Sequence, residues 1–197
     1  MANSEGKAYA LTVLTPMPWW TRVYRRVVFF LIHVVHWPKR DQVNLAKLSF
    51  IHFARWVVIR RSRFPWLGHP QPRERLHYDY LLFCSNFNGG WGEYLDAFSD
   101  VIPRGVNNIW RWCIKYPKAR PISPFLGYAA FNQIDTDYFY NAYPGASTRD
   151  IKAALELHAQ LETFAKEPRT GLSDSEFRRK YEAFLTRIQG CLGTIGP

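Results

Sequence analysis

Two hydrophobic periods alternate along the chain, and their order is the feature that most constrains the fold. Residues 9–16, "YALTVLTP", 48–61, "LSFIHFARWVVIRR", and 78–87, "YDYLLFCSNF", are typical of half-buried strands. Residues 19–35 and the stretch after Gly90 carry apolar residues at helical spacing. "TDYFYNAYP", 136–144, predicts a fourth strand. The order strand, helix, strand, strand, helix, strand is the ferredoxin-like pattern.

We therefore predict an α+β fold with a ferredoxin-like antiparallel four-stranded sheet, helices on one face and a C-terminal helical extension. One domain is expected over residues 1–197, with a core at 8–165 and the extension at 166–197. The proline-rich stretch 116–133 is predicted to be a long excursion. Ser147 with Asp150, and Ser173 with Glu176, predict two helix N-caps near the C-terminus. The second face of the sheet needs a cover, which could be the sheet of a homodimer partner or the C-terminal helices.

Four segments, "LTVLTP", "IHFARWVV", "LLFCSNFNGGWGEYLDAF" and "TDYFYNAYPG", carry a resemblance to an uncharacterised bacterial family of ferredoxin-like proteins. The resemblance covers about Tyr9 to Phe164 and implies the fold, but it implies no catalytic residue. The chain is more distantly similar, in the order of its elements, to dimeric α+β-barrel proteins. That similarity implies haem binding, cofactor-free oxygenation or small-ligand binding as expectations, together with a homodimer.

The first function hypothesis is a small-molecule site, with an oxidoreductase-type enzyme among its forms, in an apolar pocket between the sheet and its covering layer. His52 and Arg55 are predicted on opposite faces of one strand, so at most one of them would line that pocket. His52 could act as a general base or a ligand, and Arg55 is costly to bury without an anionic partner. Each could equally be a structural residue. Further candidate ligand-binding residues are Asn86, Asn88, Gln133, Tyr138 and, as an axial haem ligand on a helix, His158.

The loop "NFNGGW", 86–91, leads into a predicted helix, whose N-terminus can hold an anion. Its glycine spacing matches neither the P-loop nor the dinucleotide fingerprint. We interpret it as a tight turn with Asn88 near the cap position.

The second hypothesis is a non-catalytic binding protein, and it comes from charge. Residues 1–75 hold 13 Lys and Arg against 3 Asp and Glu, whereas residues 76–197 hold 13 of each. The whole formal excess of +10 therefore lies in the N-terminal part. One face of the first helix is expected to pack on the sheet and to leave Phe29, Phe30 and His33 for another surface. The residues predicted to meet an anionic surface are Arg22, Arg25, Arg26, Lys39 and Arg40.

That basic aromatic face suits an anionic membrane, and less well single-stranded nucleic acid. A helix buried on both sides is the structural alternative. The longest apolar run, "VVFFLI", is far short of the roughly 20 residues that span a bilayer, and no secretory signal is evident. Three scattered cysteines predict neither a disulfide framework nor a metal site. We therefore predict a cytoplasmic protein, with peripheral contact at the inner face of the membrane as one option.

Overall fold

The computed structural model describes residues 3–34, 48–167 and 173–191. The chain divides into two compact units, Met1–Pro144 and Gly145–Pro197. The first unit is α+β, with an open four-stranded antiparallel sheet, and the second is helical. These findings confirm the predicted α+β class and the antiparallel four-stranded sheet.

Four strands and four α-helices make up the described part of the first unit. The strands are β1 (Ser4–Glu5), β2 (Ala8–Met17), β3 (Ile51–Ile59) and β4 (Asp79–Asn88). A 3-10 turn at Trp19–Thr21 leads into α1 (Arg22–Val34). The later helices are α2 (Trp91–Val101), α3 (Pro103–Trp110) and α4 (Ile122–Asn132).

The sheet has the order β1-β2-β4-β3, so β4 lies between β2 and β3. Every second residue of β4 is buried, as is every second residue of β2 from Leu11 to Met17, which is expected for strands with one face against a core. Val13 pairs with Phe83, and Trp56 pairs with Phe83 from the other side. The core against this face combines strand residues with side chains of α2, α3 and α4, among them Leu11, Leu81, Phe87, Tyr94, Phe98, Val106, Trp110, Phe125 and Ala129.

The strand predicted at 136–144 is absent, and the fourth strand is instead β1. Gly6, at a φ of +58°, turns the N-terminal residues back onto β2. The same edge of β2 also pairs with the end of α4, because Gln133 bridges to Val13 and the Ile134 N–H donates to Thr12 O at 2.9 Å. The edge that residues 136–144 needed is thus divided between two other segments. Residues 136–144 have the β-propensity of a strand, but other segments hold the backbone hydrogen-bonding partners that they would need.

The predicted excursion at 116–133 contains α4, a helix that the sequence analysis did not identify. Pro121 occupies the N-cap in an extended conformation, and Pro124 lies in the first turn, where a missing N–H is tolerated. Phe125 and Ala129, four residues apart, are buried in the core and hold the helix in place.

The second unit contains α5 (Thr148–Ala165) and α6 (Asp174–Ile188). Capping boxes at Ser147 and Ser173 begin the two helices and confirm both predicted caps. The helices pack through Phe164 and Phe184, whose rings stack with centroids 4.6 Å apart. Three apolar side chains of α5, Ile151, Leu155 and Leu161, are exposed.

Candidate functional site

The space between the sheet and its helices is almost filled. An apolar cavity of about 30 Å³ lies there, lined by core side chains that include Leu11, Phe83, Trp110 and Phe125. Pockets that hold drug-sized ligands measure about 300–1,000 Å³, and this cavity has the volume of a water site. Haem does not fit this cavity.

His52 and Arg55 both lie on the surface of the sheet. The alternation of β3 is interrupted between Ile51 and Phe53, and His52 occupies the irregularity and is exposed. Ala54, on the core face, pairs with Ser85, whereas Arg55 pairs with Cys84 on the opposite, open face and is exposed. The bulge therefore removes His52 from the core-facing set to which simple alternation assigned it.

The other residues predicted to bind a ligand have separate surroundings. Asn86 lies within β4 on the open face. The Asn88 side chain donates to Lys7 O at 2.8 Å, which ties the end of β4 to the start of β2. Gln133 Oε1 accepts from Trp91 Nε1 at 2.7 Å, so this amide orients a helix start.

Tyr138 and His158 are exposed. Tyr138 has 79% of its surface accessible. His158, in the second unit, has Glu162 as its nearest acidic neighbour, with Nε2 to Oε1 at 3.9 Å. No group of three or more metal-ligating His, Cys, Asp or Glu side chains occurs among the described residues.

The loop at 86–91 is a strand-to-helix turn, as interpreted. Gly89 has a φ of +99°, and Gly90 rather than Asn88 is the N-cap of α2. The Glu93 carboxylate lies against Gly90, so close that a Cβ there would overlap it. The positive end of α2 is thus already next to a carboxylate, which disfavours an added anion.

A buried carboxylate organises the basic residues near α1. Asp79, the first residue of β4, is fully buried. Its Oδ2 accepts from Arg22 Nε at 2.8 Å and from Arg25 Nη2 at 3.3 Å. Its Oδ1 accepts from Arg22 Nη2 at 3.1 Å and from the Arg61 N–H at 3.0 Å. One carboxylate therefore serves two guanidinium groups.

This sharing leaves the cluster with excess positive charge. Burial would raise the pKa of Asp79, but the hydrogen bond from Arg22, the N–H of Arg61 and the charges of Arg22 and Arg25 lower it below its usual value. Burial lowers the pKa of Arg25, and the neighbouring charges of Arg22 and Arg60 act in the same direction against the attraction of Asp79. Arg25 is 4% exposed, and its Nε has no hydrogen-bond partner within the described residues.

Beside this cluster opens a surface pocket of about 250 Å³, which we name the arginine pocket. Its lining consists of Arg22, Arg25, Arg26, Phe29, Val58 and Arg60. Neither Arg26 nor Arg60 forms an ion pair in the part of the chain that the structure describes. Four guanidinium groups thus line one cavity, and the carboxylate of Asp79 binds two of them.

Next to the pocket, α1 presents an apolar stripe to solvent. We name it the α1 face; it consists of Trp19, Trp20, Val23, Val27, Phe30 and Leu31, all exposed. Val23 and Phe30 have 72% and 62% of their surfaces accessible. Phe29 instead packs on the core, although the sequence analysis expected its ring to face another surface. The α1 face is a helical stripe at spacings of three and four residues, and Arg26 borders it.

Arginine and aromatic rings also alternate around the α1 face. Arg61 lies over the ring of Trp19 at 5.5 Å, and Arg111 lies over Trp112 at 5.2 Å. Trp112 in turn meets the ring of Trp20 edge-on at 5.7 Å. Cation–π contacts of this kind keep the guanidinium groups next to apolar surface without neutralising them.

Comparison with family models, with curated proteins and with solved structures found no match to this chain.

Sequence reasoning found Arg22, Arg25 and Arg26 but missed Asp79, Arg60 and Arg61. The clustering of arginines in residues 60–75 was a usable signal, whereas nothing in the sequence pairs Asp79 with α1. His33, Lys39 and Arg40 lie outside the residues or side chains that the structure describes. No helix in the described ranges is long and apolar enough to cross a bilayer.

Proposed function

We propose that this protein binds peripherally to anionic membrane surfaces through the α1 face and the arginines that border it. The observation that carries the proposal is the exposure of the apolar stripe beside arginines without acidic partners. An interfacial helix needs this combination, because its apolar side enters the boundary between headgroups and acyl chains while cations meet the lipid phosphates.

Both parts of the face contribute to binding. Each Arg near an anionic membrane contributes about 1 kcal/mol, an attraction that weakens as salt is added. Burial of Val23, Phe30 and the two tryptophans contributes a part that does not depend on salt. Trp19 and Trp20 suit the headgroup level, where an apolar ring with one polar edge is favoured.

The structural alternative, a helix buried on both sides, does not fit the exposure of the α1 face among the described residues. Nucleic acid remains a competing partner, because Trp19, Trp20 and Phe30 offer rings on which bases could stack. The aliphatic side chains of Val23, Val27 and Leu31 offer bases no such contact and favour a membrane. The small-molecule hypothesis stays a prediction. The space offered to such a ligand between sheet and helices is about 30 Å³.

We also infer a ferredoxin-like relationship for the first unit. β4 lies between β2 and β3 and is antiparallel to both, which is the arrangement of a split β-α-β unit with α1 on the connection. In this chain β1 occupies part of the edge where the fourth strand of that fold would pair. Pairing of two sheets in a homodimer stays a prediction, as does a cytoplasmic location.

Vesicle sedimentation tests the membrane proposal. Wild-type protein is mixed with phosphatidylcholine vesicles, and with vesicles that also contain phosphatidylglycerol, at low salt and at roughly 1 M salt, where the Debye length is about 3 Å. We expect binding to the anionic vesicles at low salt, and weaker binding at high salt. Negligible binding to both kinds of vesicle would reject the proposal. It would also be rejected if the protein bound single-stranded oligonucleotides more tightly than anionic vesicles, so that a low oligonucleotide concentration released it from them.

A pair of matched variants identifies the face. Phe30→Ser should weaken vesicle binding at every salt concentration, because an exposed ring that enters the membrane is lost. Phe131→Ser is the control, since Phe131 is 88% exposed near the end of α4 and does not belong to the α1 face. Equal effects of the two substitutions would show that the α1 face does not meet the membrane.

A further inference from the structure

We propose that the arginine pocket is a binding site for the phosphomonoester headgroup of an anionic lipid. The inference deepens the proposed function and rests on it for the source of the phosphate. The shape and charge of the pocket carry the phosphate part independently.

The first observation is an unmet hydrogen-bonding group. Arg25 lines the pocket, is 4% exposed, and has an Nε without a partner in the described residues. Its Nη1 donates to Thr21 Oγ1 and its Nη2 donates to Asp79 Oδ2 at 3.3 Å, a long contact for a charge-assisted bond. An anion in the pocket would stabilise this buried cation, because the guanidinium of Arg25 shares its carboxylate with Arg22.

The second observation is the charge balance of the pocket. Arg22, Arg25, Arg26 and Arg60 line it, and Asp79 is the carboxylate that Arg22 and Arg25 share. Three positive charges remain. A phosphomonoester carries about −1.5 to −2 at pH 7 and presents three acceptor oxygens, whereas a phosphodiester carries one charge. The pocket therefore favours a monoester.

The third observation is the position of the pocket. Phe29 and Val58 form its apolar wall, and Arg26, at its rim, also borders the α1 face. A headgroup held by Arg26 and Arg60 would leave its acyl chains beside Val23, Val27 and Phe30. A planar guanidinium group can donate two parallel hydrogen bonds to two oxygens of one phosphate, so arginines are well suited to bind a phosphate headgroup here.

The first arm of the test omits membranes. Side-chain Nε–H resonances of arginine are followed by NMR while inorganic phosphate, short-chain phosphatidic acid or short-chain phosphatidylglycerol is added below its micelle concentration. We expect resonances of pocket arginines to shift, with short-chain phosphatidic acid binding most tightly. Arg60→Gln should weaken that binding by about tenfold or more, which is the loss of one charge-assisted contact.

Matched variants separate the pocket from general charge. Arg55→Gln removes one charge from the open face of the sheet and should leave the binding of phosphatidic acid unchanged. Arg26→Gln should weaken it as Arg60→Gln does, and because Arg26 is exposed, this second variant tests the pocket even where Arg60→Gln lowers stability. Equal effects of Arg55→Gln and the two pocket variants would overturn the site.

The second arm uses vesicles with phosphatidic acid or phosphatidylglycerol at equal surface charge. We expect tighter binding to the monoester lipid, with the preference abolished by Arg60→Gln. Vesicle binding without a preference, and without NMR shifts, would overturn the pocket and leave the membrane proposal standing. Shifts with short-chain phosphatidic acid but no vesicle binding would support the pocket and overturn the proposed function. Inorganic phosphate bound as tightly as phosphatidic acid would overturn the assignment to a lipid.

Discussion

The buried carboxylate of Asp79 accepts a hydrogen bond from Arg25 across 3.3 Å and thereby joins the first residue of β4 to the second turn of α1. The same carboxylate binds Arg22 with two contacts, at 2.8 and 3.1 Å. The position of α1 on the sheet is therefore fixed by charge as well as by the packing of Phe29. The arginines of α1 therefore have two different roles. Arg22 and Arg25 bind the carboxylate of Asp79, whereas Arg26 is exposed on the surface.

We expect Asp79→Asn to destabilise the fold by about 3–5 kcal/mol, because it leaves two guanidinium groups without their shared counter-charge. Urea unfolding at pH 7 measures the change. Asp100→Asn is the matched control. Asp100 pairs with Arg120 at the surface, and such exposed pairs contribute about 0–1 kcal/mol. A loss no larger for Asp79→Asn than for Asp100→Asn would contradict the role given to Asp79.

The stability difference between wild type and Asp79→Asn should also depend on pH. The pKa of Asp79 is lower in the folded state than its ordinary value of 3.8, so the unfolded chain binds more protons in that range. The contribution of Asp79 is therefore complete above about pH 4–5 and is lost as the pH falls through the folded pKa. Unfolding curves of both proteins from neutral to acidic pH should converge at the acidic end. A difference that does not change with pH would show that the pKa of Asp79 is the same in the folded and the unfolded protein.

Ser85 should matter more to stability than its size suggests. It is fully buried, donates to Phe53 O at 2.9 Å and accepts from the Tyr94 hydroxyl at 2.7 Å. Ser85→Ala leaves both Phe53 O and the Tyr94 hydroxyl without their hydrogen-bond partner, whereas Tyr94→Phe removes only one donor. We expect losses of about 2–4 and 1 kcal/mol respectively, with less than additive effects in the double variant. Thermal unfolding of the four proteins measures the coupling, and strict additivity would refute the network.

Gly6→Ala should destabilise the N-terminal edge of the sheet. Gly6 has a φ of +58°, and a Cβ there would overlap the backbone of Pro144. We expect a loss of at least about 1 kcal/mol. Amide exchange at Lys7, whose N–H donates to Pro144 O at 2.8 Å, should increase. Gly92→Ala is the control, because no atom lies within 4 Å of a Cβ there. If Gly6→Ala lowered the free energy of unfolding no more than Gly92→Ala does, the turn would tolerate a side chain at position 6.

The sequence by itself determined the elements whose signals are local. Alternation over residues 9–16 and 78–87 predicted β2 and β4, and the serine caps predicted the starts of α5 and α6, because each signal depends on neighbours within a few positions. The concentration of basic residues before position 76 was equally plain.

Tertiary structure decided which segments obtained partners. Residues 136–144 have the composition of a strand, yet β1 and Gln133 hold the edge they needed. A bulge at His52 reversed the direction of that side chain, and a one-residue irregularity of this kind leaves no mark in a periodic pattern. Only the fold brings Asp79 to Arg22 and Arg25, from 57 and 54 positions away. Long-range charge pairing depends on where the chain returns, and so the arginine pocket exists only once the sheet and α1 have met.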